Sequence, residues 1–240
     1  MSEQKMNERI MIALDVDRLD RAEAAIAALP AARVFKVGLE AFLALGEPLI
    51  ERVHEQRKRL FLDLKFKDIP NTVAGAVRGA LRYRPDFLTL HLSGGREMVR
   101  RAVAEAAARP ELTLLGVTVL TSLSAQDLAE TGVPLSPREA VLRLVELGRA
   151  AGLSAFVCSP EEIEPIRARF GREVTLVTPG IRPAGSGVQD QKRVMTPGRA
   201  VAAGADYLVI GRPITMAPDA REAACRIGLE IDAAIGHSPN

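Results

Sequence analysis

Short runs of aliphatic and β-branched residues recur along the whole chain, separated by segments rich in Ala, Leu, Glu and Arg. Continuous apolar runs are typical of strands that are covered on both faces, as in a parallel sheet. The intervening segments carry their apolar residues at helical spacing. The pattern predicts eight strands, at residues 10–16, 34–39, 60–66, 87–92, 112–120, 155–159, 174–180 and 207–211.

Eight repeats of strand and helix in 240 residues predict a (β/α)8 TIM barrel, because each unit then averages about 30 residues, the usual size for this fold. A doubly wound open sheet is the alternative. However, the glycine fingerprint of a dinucleotide-binding fold is missing after the first strand, where the sequence reads LDVDRLD. Since no linker or second-domain pattern interrupts the repeats, residues 1–240 are expected to form a single domain.

Composition and charge exclude several classes of partner. The chain has 32 Lys and Arg and 30 Asp and Glu, and a net charge of +2 gives no reason to expect nucleic acid binding. The sequence contains neither an apolar stretch of membrane-spanning length nor a signal-peptide pattern. Its two cysteines, Cys158 and Cys225, form no metal-ligand motif and no disulfide framework. We therefore expect a cytoplasmic protein without a metal or a membrane partner.

Charged residues interrupt the end of the third predicted strand, in FLDLKFKDIPNTV at 61–73. Asp63 and Lys65 are two positions apart, so on a strand they point to the same side. Asp15 ends the first strand and Lys36 lies on the second, and the active sites of such barrels gather at the carboxyl ends of the strands. A structural salt bridge is the alternative, but buried pairs are weak stabilisers, so the cluster favours a functional role.

This cluster has a chemical use. A lysine held between aspartates is favoured in its charged form and can act as a general acid. An aspartate beside a substrate carboxylate would repel that carboxylate. Such a site would favour loss of the carboxylate as carbon dioxide and protonation of the carbanion that is left.

Two arginines point to a phosphate site. Arg182 follows the seventh predicted strand and Arg212 follows the eighth, each close to a glycine. The loops after these strands are the usual phosphate site of the fold, and Arg can bind a phosphate with two hydrogen bonds. The alternative is a surface arginine after a glycine turn. The nearby stretch 179–198 is long and rich in Gly and Pro, which is typical of a functional or a disordered loop.

Together these segments resemble the orotidine 5'-phosphate decarboxylase family. The resemblance runs nearly end to end and is most specific in DLKFKDIPNT (63–72), with further matches at HLSGG (91–95), VTVLTS (117–122), TPGIRP (178–183) and DYLVIGRP (206–213). It implies an enzyme that converts orotidine 5'-phosphate to UMP and carbon dioxide, the last step of de novo pyrimidine nucleotide synthesis. It also implies a homodimer that uses no cofactor.

The resemblance implies a role for each matching residue. Lys65 would protonate C6 of the pyrimidine and Asp63 would lie near the departing carboxylate, within a charged array of Lys36, Asp63, Lys65 and Asp68. Asp15 and Lys36 would hold ribose hydroxyls, and Thr121 would lie over the pyrimidine ring, with Ser124 as a further residue for the base edge. The phosphate would be bound by Arg182, Gln191, Gly211 and Arg212, with 183–191 as the closing loop. Three residues would extend into a neighbouring subunit's site: Asp68, Ile69 and Thr72.

Two other functions fit parts of this pattern. Magnesium-dependent sugar-phosphate decarboxylases and aldolases share Asp-x-Lys-x-x-Asp, but their second strand supplies a glutamate to the metal where this chain has Lys36. A lysine would repel the metal. The second alternative is a barrel that only binds nucleotides or phosphates, although every position of the charged array is intact here.

Overall fold

The computed structural model describes residues 6–183 and 195–236, and its eight parallel strands close into a barrel in sequence order. The predicted (β/α)8 barrel is therefore confirmed. The strands are β1 (Ile10–Leu14), β2 (Val34–Gly38), β3 (Arg59–Phe66), β4 (Phe87–His91), β5 (Thr113–Val117), β6 (Ala155–Val157), β7 (Thr175–Thr178) and β8 (Tyr207–Ile210).

Helices cover the outside of the barrel, and several begin at residues that favour helix starts. Ser124 and Ser136 each accept a hydrogen bond from the backbone three residues on, and that third residue returns one from its carboxylate. The helices are α1 (Leu19–Ala28), α2 (Leu39–Leu45), α3 (Glu47–Glu55), α4 (Pro70–Ala80), α5 (Arg96–Ala106), α6 (Ala125–Glu130), α7 (Pro137–Ala150), α8 (Ile163–Phe170), α9 (Pro197–Ala202), α10 (Arg212–Thr215) and α11 (Ala220–Gly236).

All eight predicted strands are present, but most are shorter at their carboxyl ends than predicted. The first ends at Leu14 and the fifth at Val117, two and three residues before the predicted ends at 16 and 120. The chain leaves the ladder there to form the loops of the barrel mouth. Polar residues such as Asp15 and Thr121 therefore lie on loops that follow the strands.

Alternation along the strands divides the core into two layers. In β1, Ile10, Ile12 and Leu14 pack into the outer layer between barrel and helices, while Met11 faces the barrel interior. The buried residues of the inner apolar cluster come from the first three positions of their strands: Met11, Val34, Phe61, Phe87, Leu115, Ala155 and Val177. This apolar plug fills the amino-terminal end of the barrel and leaves the carboxyl ends for polar side chains.

Within the described ranges, no helix is both long and apolar enough to cross a membrane.

Candidate active site

A cavity of about 240 Å³ opens at the carboxyl ends of the strands. Eight of the residues predicted from the sequence line it, namely Asp15, Lys36, Asp63, Lys65, Thr121, Arg182, Gly211 and Arg212. The remaining wall is almost entirely apolar and consists of Ala13, Phe61, Val117, Val119, Leu120, Val157, Cys158, Pro179 and Val209. A cavity of this kind, with a few convergent charges in an apolar wall, is typical of a small-molecule site.

Four charged side chains form a continuous series from the loop after β1 across β2 and β3, which we call the ion-pair chain: Asp15, Lys36, Asp63 and Lys65. The Lys36 amine lies 3.3 Å from Asp15 Oδ1 and 3.7 Å from Asp63 Oδ2. The Lys65 amine donates to both carboxylate oxygens of Asp63 at 2.8 Å. Because the charges alternate in sign, each neighbour in the series attracts the next.

Asp63 is the buried centre of the ion-pair chain, with 9% of its surface exposed. Burial alone would raise the pKa of its carboxyl, but the charges of Lys36 and Lys65 and a hydrogen bond from Thr89 outweigh burial and hold that pKa below its usual value. Asp63 is therefore ionised at neutral pH, and the cavity presents a fixed negative charge beside the Lys65 amine.

Lys65 has an unusual backbone. Its φ is 49°, in the left-handed region that residues other than glycine rarely adopt, at a cost of about 1–3 kcal/mol. The β3–β4 register also shifts between Leu62 and Phe66. Regular alternation predicted that Asp63 and Lys65 point the same way. Their side chains do meet. However, β3 does not pair regularly with β4 at these residues, so regular alternation is not the reason.

Asp68, Ile69 and Thr72 lie outside this cavity. They follow β3, at and just before the start of α4, and all three are exposed. Asp68 Oδ1 accepts a hydrogen bond from the backbone N–H of Ile69 at 2.6 Å. Within one protomer, therefore, the structure brings three members of the expected charged array together, while Asp68 is directed elsewhere.

The expected phosphate residues are partly described. Arg182 is buried, donates from Nη1 to the Ile181 carbonyl at 3.0 Å and lines the cavity. Gly211 is the residue before α10, and Arg212 is its first residue. Both arginines thus reach one cavity, as expected. Gln191 and most of the predicted closing loop 183–191 lie outside the described residues.

Thr121 lines the cavity, whereas Ser124 does not. The Ser124 hydroxyl donates to Asp127 Oδ2 at 2.6 Å and accepts from the Asp127 backbone N–H as the cap of α6. A contact between Ser124 and a base stays a prediction, and it would compete with this cap.

Sequence reasoning missed Thr89, which is buried and hydrogen-bonded to Asp63. A signal was present, because Thr89 is a polar residue within an otherwise apolar part of a strand, FLTLHL, and shares a face with Phe87 and His91. The apolar wall residues Val119, Leu120 and Cys158 were missed as well. Nothing in their residue types separates them from ordinary core residues.

Across residues 6–183 and 195–236, no three His, Cys, Asp or Glu side chains are grouped as metal ligands would be. The cavity instead combines amines, carboxylates and guanidinium groups. A closed parallel barrel with such a mouth is an enzyme of the (β/α)8 class whose site suits a phosphorylated, anionic small molecule. Residues 8–227 match the family described as orotidine 5'-phosphate decarboxylase / HUMPS, and the chain belongs to this family.

The similarity to known proteins covers nearly the whole chain. An orotidine 5'-phosphate decarboxylase of Halorhodospira halophila is 50% identical over 228 residues, covering 94% of this chain and 97% of that protein. One of Moorella thermoacetica is 49% identical over 233 residues, covering 94% of this chain and 92% of that protein. The crystal structure of the enzyme from Lactobacillus acidophilus is similar with a TM-score of 0.83 and 32% identity, covering 94% of this chain and 100% of that one.

Proposed function

We propose that this enzyme decarboxylates orotidine 5'-phosphate to UMP and carbon dioxide, the last step of de novo pyrimidine nucleotide synthesis, with Lys65 as the proton donor. One observation supports this reaction above all: the Lys65 amine is held 2.8 Å from both oxygens of a buried carboxylate, at the mouth of a cavity with two arginines. The relatives named above carry the name of this activity.

The proposed reaction breaks the bond between C6 and the carboxylate of the substrate. Its electron pair stays on C6, carbon dioxide leaves, and the Lys65 amine gives a proton to C6. Lys65 then regains a proton from water. Because no other reactant is consumed, the step balances without an oxidant, a reductant or a cofactor.

Asp63 would raise the free energy of the bound substrate, and Lys65 would lower the free energy of the transition state. Asp63 is ionised and buried, so a substrate carboxylate placed beside it is destabilised by like charge. The positive charge of Lys65 stabilises negative charge that develops at C6. Since both groups are fixed by the fold, little reorganisation is needed as the charge moves, which is how preorganised electrostatics lowers a barrier.

The other cavity residues would bind the remote parts of the substrate. Asp15 and Lys36 are proposed for the ribose hydroxyls, and Thr121 for the segment over the pyrimidine. Arg182, Gly211 and Arg212 are proposed for the phosphate, together with Gln191. Binding energy gained at the phosphate can be used to close the site and stabilise the transition state, although the phosphate takes no part in the chemistry.

We also propose a homodimer in which Asp68, Ile69 and Thr72 enter the partner's site. Ile69 is 68% exposed, and Leu39 and Leu43 at the neighbouring start of α2 are 50% and 80% exposed. These large apolar side chains follow the adjacent strands β2 and β3 on the rim of the mouth. Exposed apolar side chains that follow neighbouring strands suit a protein interface.

Mixing two inactive variants tests the shared site. If Asp68 serves the partner's site, a heterodimer of Lys65→Ala and Asp68→Ala subunits contains one intact site and one doubly altered site. Random exchange at equal concentrations would then restore about a quarter of the wild-type sites. If Asp68 serves its own subunit, both sites of the heterodimer stay altered, and no activity returns.

We further propose that residues 1–240 form one barrel domain and that the enzyme acts in the cytoplasm. The barrel strands alone extend from Ile10 to Ile210, and both cysteines are free. Free cysteines fit a reducing compartment.

The test of the reaction is turnover of orotidine 5'-phosphate, followed by its ultraviolet absorbance in the presence of a chelator. Steady conversion to UMP supports the proposal. Turnover of a sugar phosphate that requires magnesium would assign the chain to the magnesium-dependent alternative. Absence of any turnover would favour the barrel that only binds nucleotides or phosphates. UMP without magnesium should also raise the melting temperature, because a ligand that binds the folded state stabilises it.

A further inference from the structure

The irregular pairing between β3 and β4 places several residues of β3 opposite a single residue of β4. Leu62 pairs with Leu88 and Phe66 pairs with Leu90, so three residues of β3 lie opposite Thr89 alone. Those three residues are Asp63, Leu64 and Lys65. An irregular ladder leaves backbone groups without their usual partners, and buried groups of that kind need another partner.

The Thr89 hydroxyl is that partner. Thr89 is 1% exposed, and its Oγ1 accepts a hydrogen bond from the Lys65 backbone N–H at 2.9 Å. The same hydroxyl donates to Asp63 Oδ1 at 2.9 Å. This carboxylate oxygen also accepts from the Lys65 amine at 2.8 Å. One hydroxyl therefore contacts the backbone of the lysine and the carboxylate to which its side chain is paired.

We propose that Thr89 is a positioning residue for the decarboxylation, a role that rests on the function proposed above. Its hydroxyl fixes the left-handed backbone of Lys65 and the orientation of the Asp63 carboxylate at the same time. Thr89 does not line the cavity, so it acts through these two residues and does not touch the substrate.

The physical reason lies in how Lys65 is held. A left-handed backbone at a residue other than glycine persists only where its surroundings enforce it. Without the hydroxyl, the partly buried Lys65 N–H loses its partner, and the local backbone can relax. Asp63 also loses one of the hydrogen bonds that orient its carboxylate. A displacement of a reacting group by about 1 Å can cost 10²-fold in rate.

The test compares Thr89→Val with Thr89→Ser. Valine keeps the shape and removes the hydroxyl, whereas serine keeps the hydroxyl. We expect Thr89→Val to lower kcat by about 10- to 100-fold. The Kd for UMP should stay within about threefold of wild type, because the proposed phosphate and ribose residues do not contact Thr89. Thr89→Ser should recover kcat to within about threefold, since one hydroxyl can make both contacts.

Thr118→Val is the matched control. Thr118 is also a buried threonine beside a barrel strand, but its hydroxyl donates to the Val157 carbonyl at 2.8 Å and does not line the cavity. This variant loses one hydrogen bond of a buried threonine, whereas Thr89→Val loses two, so its melting temperature should also fall, by a smaller amount. Its kcat should remain within about twofold of wild type, because its partner is not part of the ion-pair chain.

A Thr89→Val enzyme with kcat within threefold of wild type would overturn the proposal, as would an equal loss of kcat in Thr118→Val. If the wild-type protein itself does not turn over orotidine 5'-phosphate, the proposed function fails, and the crystal structure of Thr89→Val decides the positioning role separately. A Lys65 φ that leaves the left-handed region supports that role. An unchanged φ with unchanged contacts between Lys65 and Asp63 overturns it.

Discussion

The two ends of the barrel interior are built from the same strands and have opposite character. At the amino-terminal end, Phe87 packs edge-to-face on Phe61 and Tyr207, with ring centroids 5.9 and 5.8 Å apart. At the carboxyl end, the same β3 that carries Phe61 carries Asp63 and Lys65, two and four residues further on. Along this one strand, apolar packing at Phe61 is therefore replaced by the ion-pair chain at the next position on the same face, Asp63.

The difference teaches where stability and function are located. Each large buried side chain of the plug, meaning its Met, Val, Leu and Phe residues, stabilises the fold by about 1.5–3 kcal/mol. The mouth instead contains a left-handed lysine and a carboxylate whose burial is unfavourable by itself. A strained and charged mouth is tolerated because the plug and the outer apolar layer stabilise the barrel independently of it. Changes at the two ends should therefore have separable effects.

The largest effect on stability is expected at the plug. Met11→Ala removes a fully buried side chain from the barrel interior and leaves a cavity, so the free energy of unfolding should fall by about 2–5 kcal/mol. In the folded enzyme, kcat/KM should stay within about twofold, because Met11 does not line the mouth cavity. Urea unfolding and assays at a temperature where the variant is folded measure the two quantities. A folded variant with a tenfold loss of kcat/KM would contradict the claim that stability and activity are determined at different ends of the barrel.

The opposite result is expected at Gly38, the residue that ends β2. A Cβ at this position would lie 2.9 Å from the Lys36 amine, although the backbone there is extended and accepts alanine. Gly38→Ala should therefore displace the flexible end of Lys36 and lower kcat/KM by about tenfold, about 1.4 kcal/mol, with little change in the urea midpoint. Unchanged kcat/KM would show that the position of the Lys36 amine does not matter.

Gly79→Ala is the matched control for that substitution. A Cβ at Gly79 in α4 meets nothing within 4 Å, and replacing a helical glycine by alanine stabilises by about 0.5–1 kcal/mol. Its melting temperature should rise while kcat/KM stays within about twofold of wild type. An equal loss of kcat/KM in both variants would show that the effect of Gly38→Ala does not come from displacement of the Lys36 amine.

The smallest effect is expected in acid. The pKa of Asp63 in the folded protein is lower than its ordinary value of 3.8, so its ionised form stabilises the fold above that value. This contribution is lost as the pH falls from about 3.8 through the lower folded pKa. The stability advantage of the wild type over Asp63→Asn should therefore narrow between pH 5 and pH 3, as measured by urea unfolding. A constant difference would contradict the shifted pKa.

Much of the mouth could be predicted from the sequence, because strand ends in a parallel barrel meet at one edge. That rule alone placed Asp15, Lys36, Asp63 and Lys65 together, and the distances between neighbouring charges confirm it. The arginines after β7 and β8 followed from the same rule. Such predictions need only strand positions and the direction of the chain.

The irregularity at Lys65 could not be predicted in this way. DLK reads as an ordinary alternating strand, and a lysine gives no sign that its φ will be positive. The ladder shift depends on what β4 presents opposite these residues, which is a property of two strands that are distant in sequence. Thr89 was missed for the same reason, since its role follows from its partners. The placement of Asp68 relative to a second subunit likewise depends on atoms that one chain does not contain.

The most direct test of the central claim, that the lysine of the ion-pair chain performs the chemistry, is the kcat of Lys65→Ala with orotidine 5'-phosphate beside its Kd for UMP. General acid catalysis contributes about 10²–10⁴-fold, so kcat should fall by at least that range while UMP still binds and still raises the melting temperature. A variant that binds UMP and keeps kcat within tenfold of wild type would contradict the account.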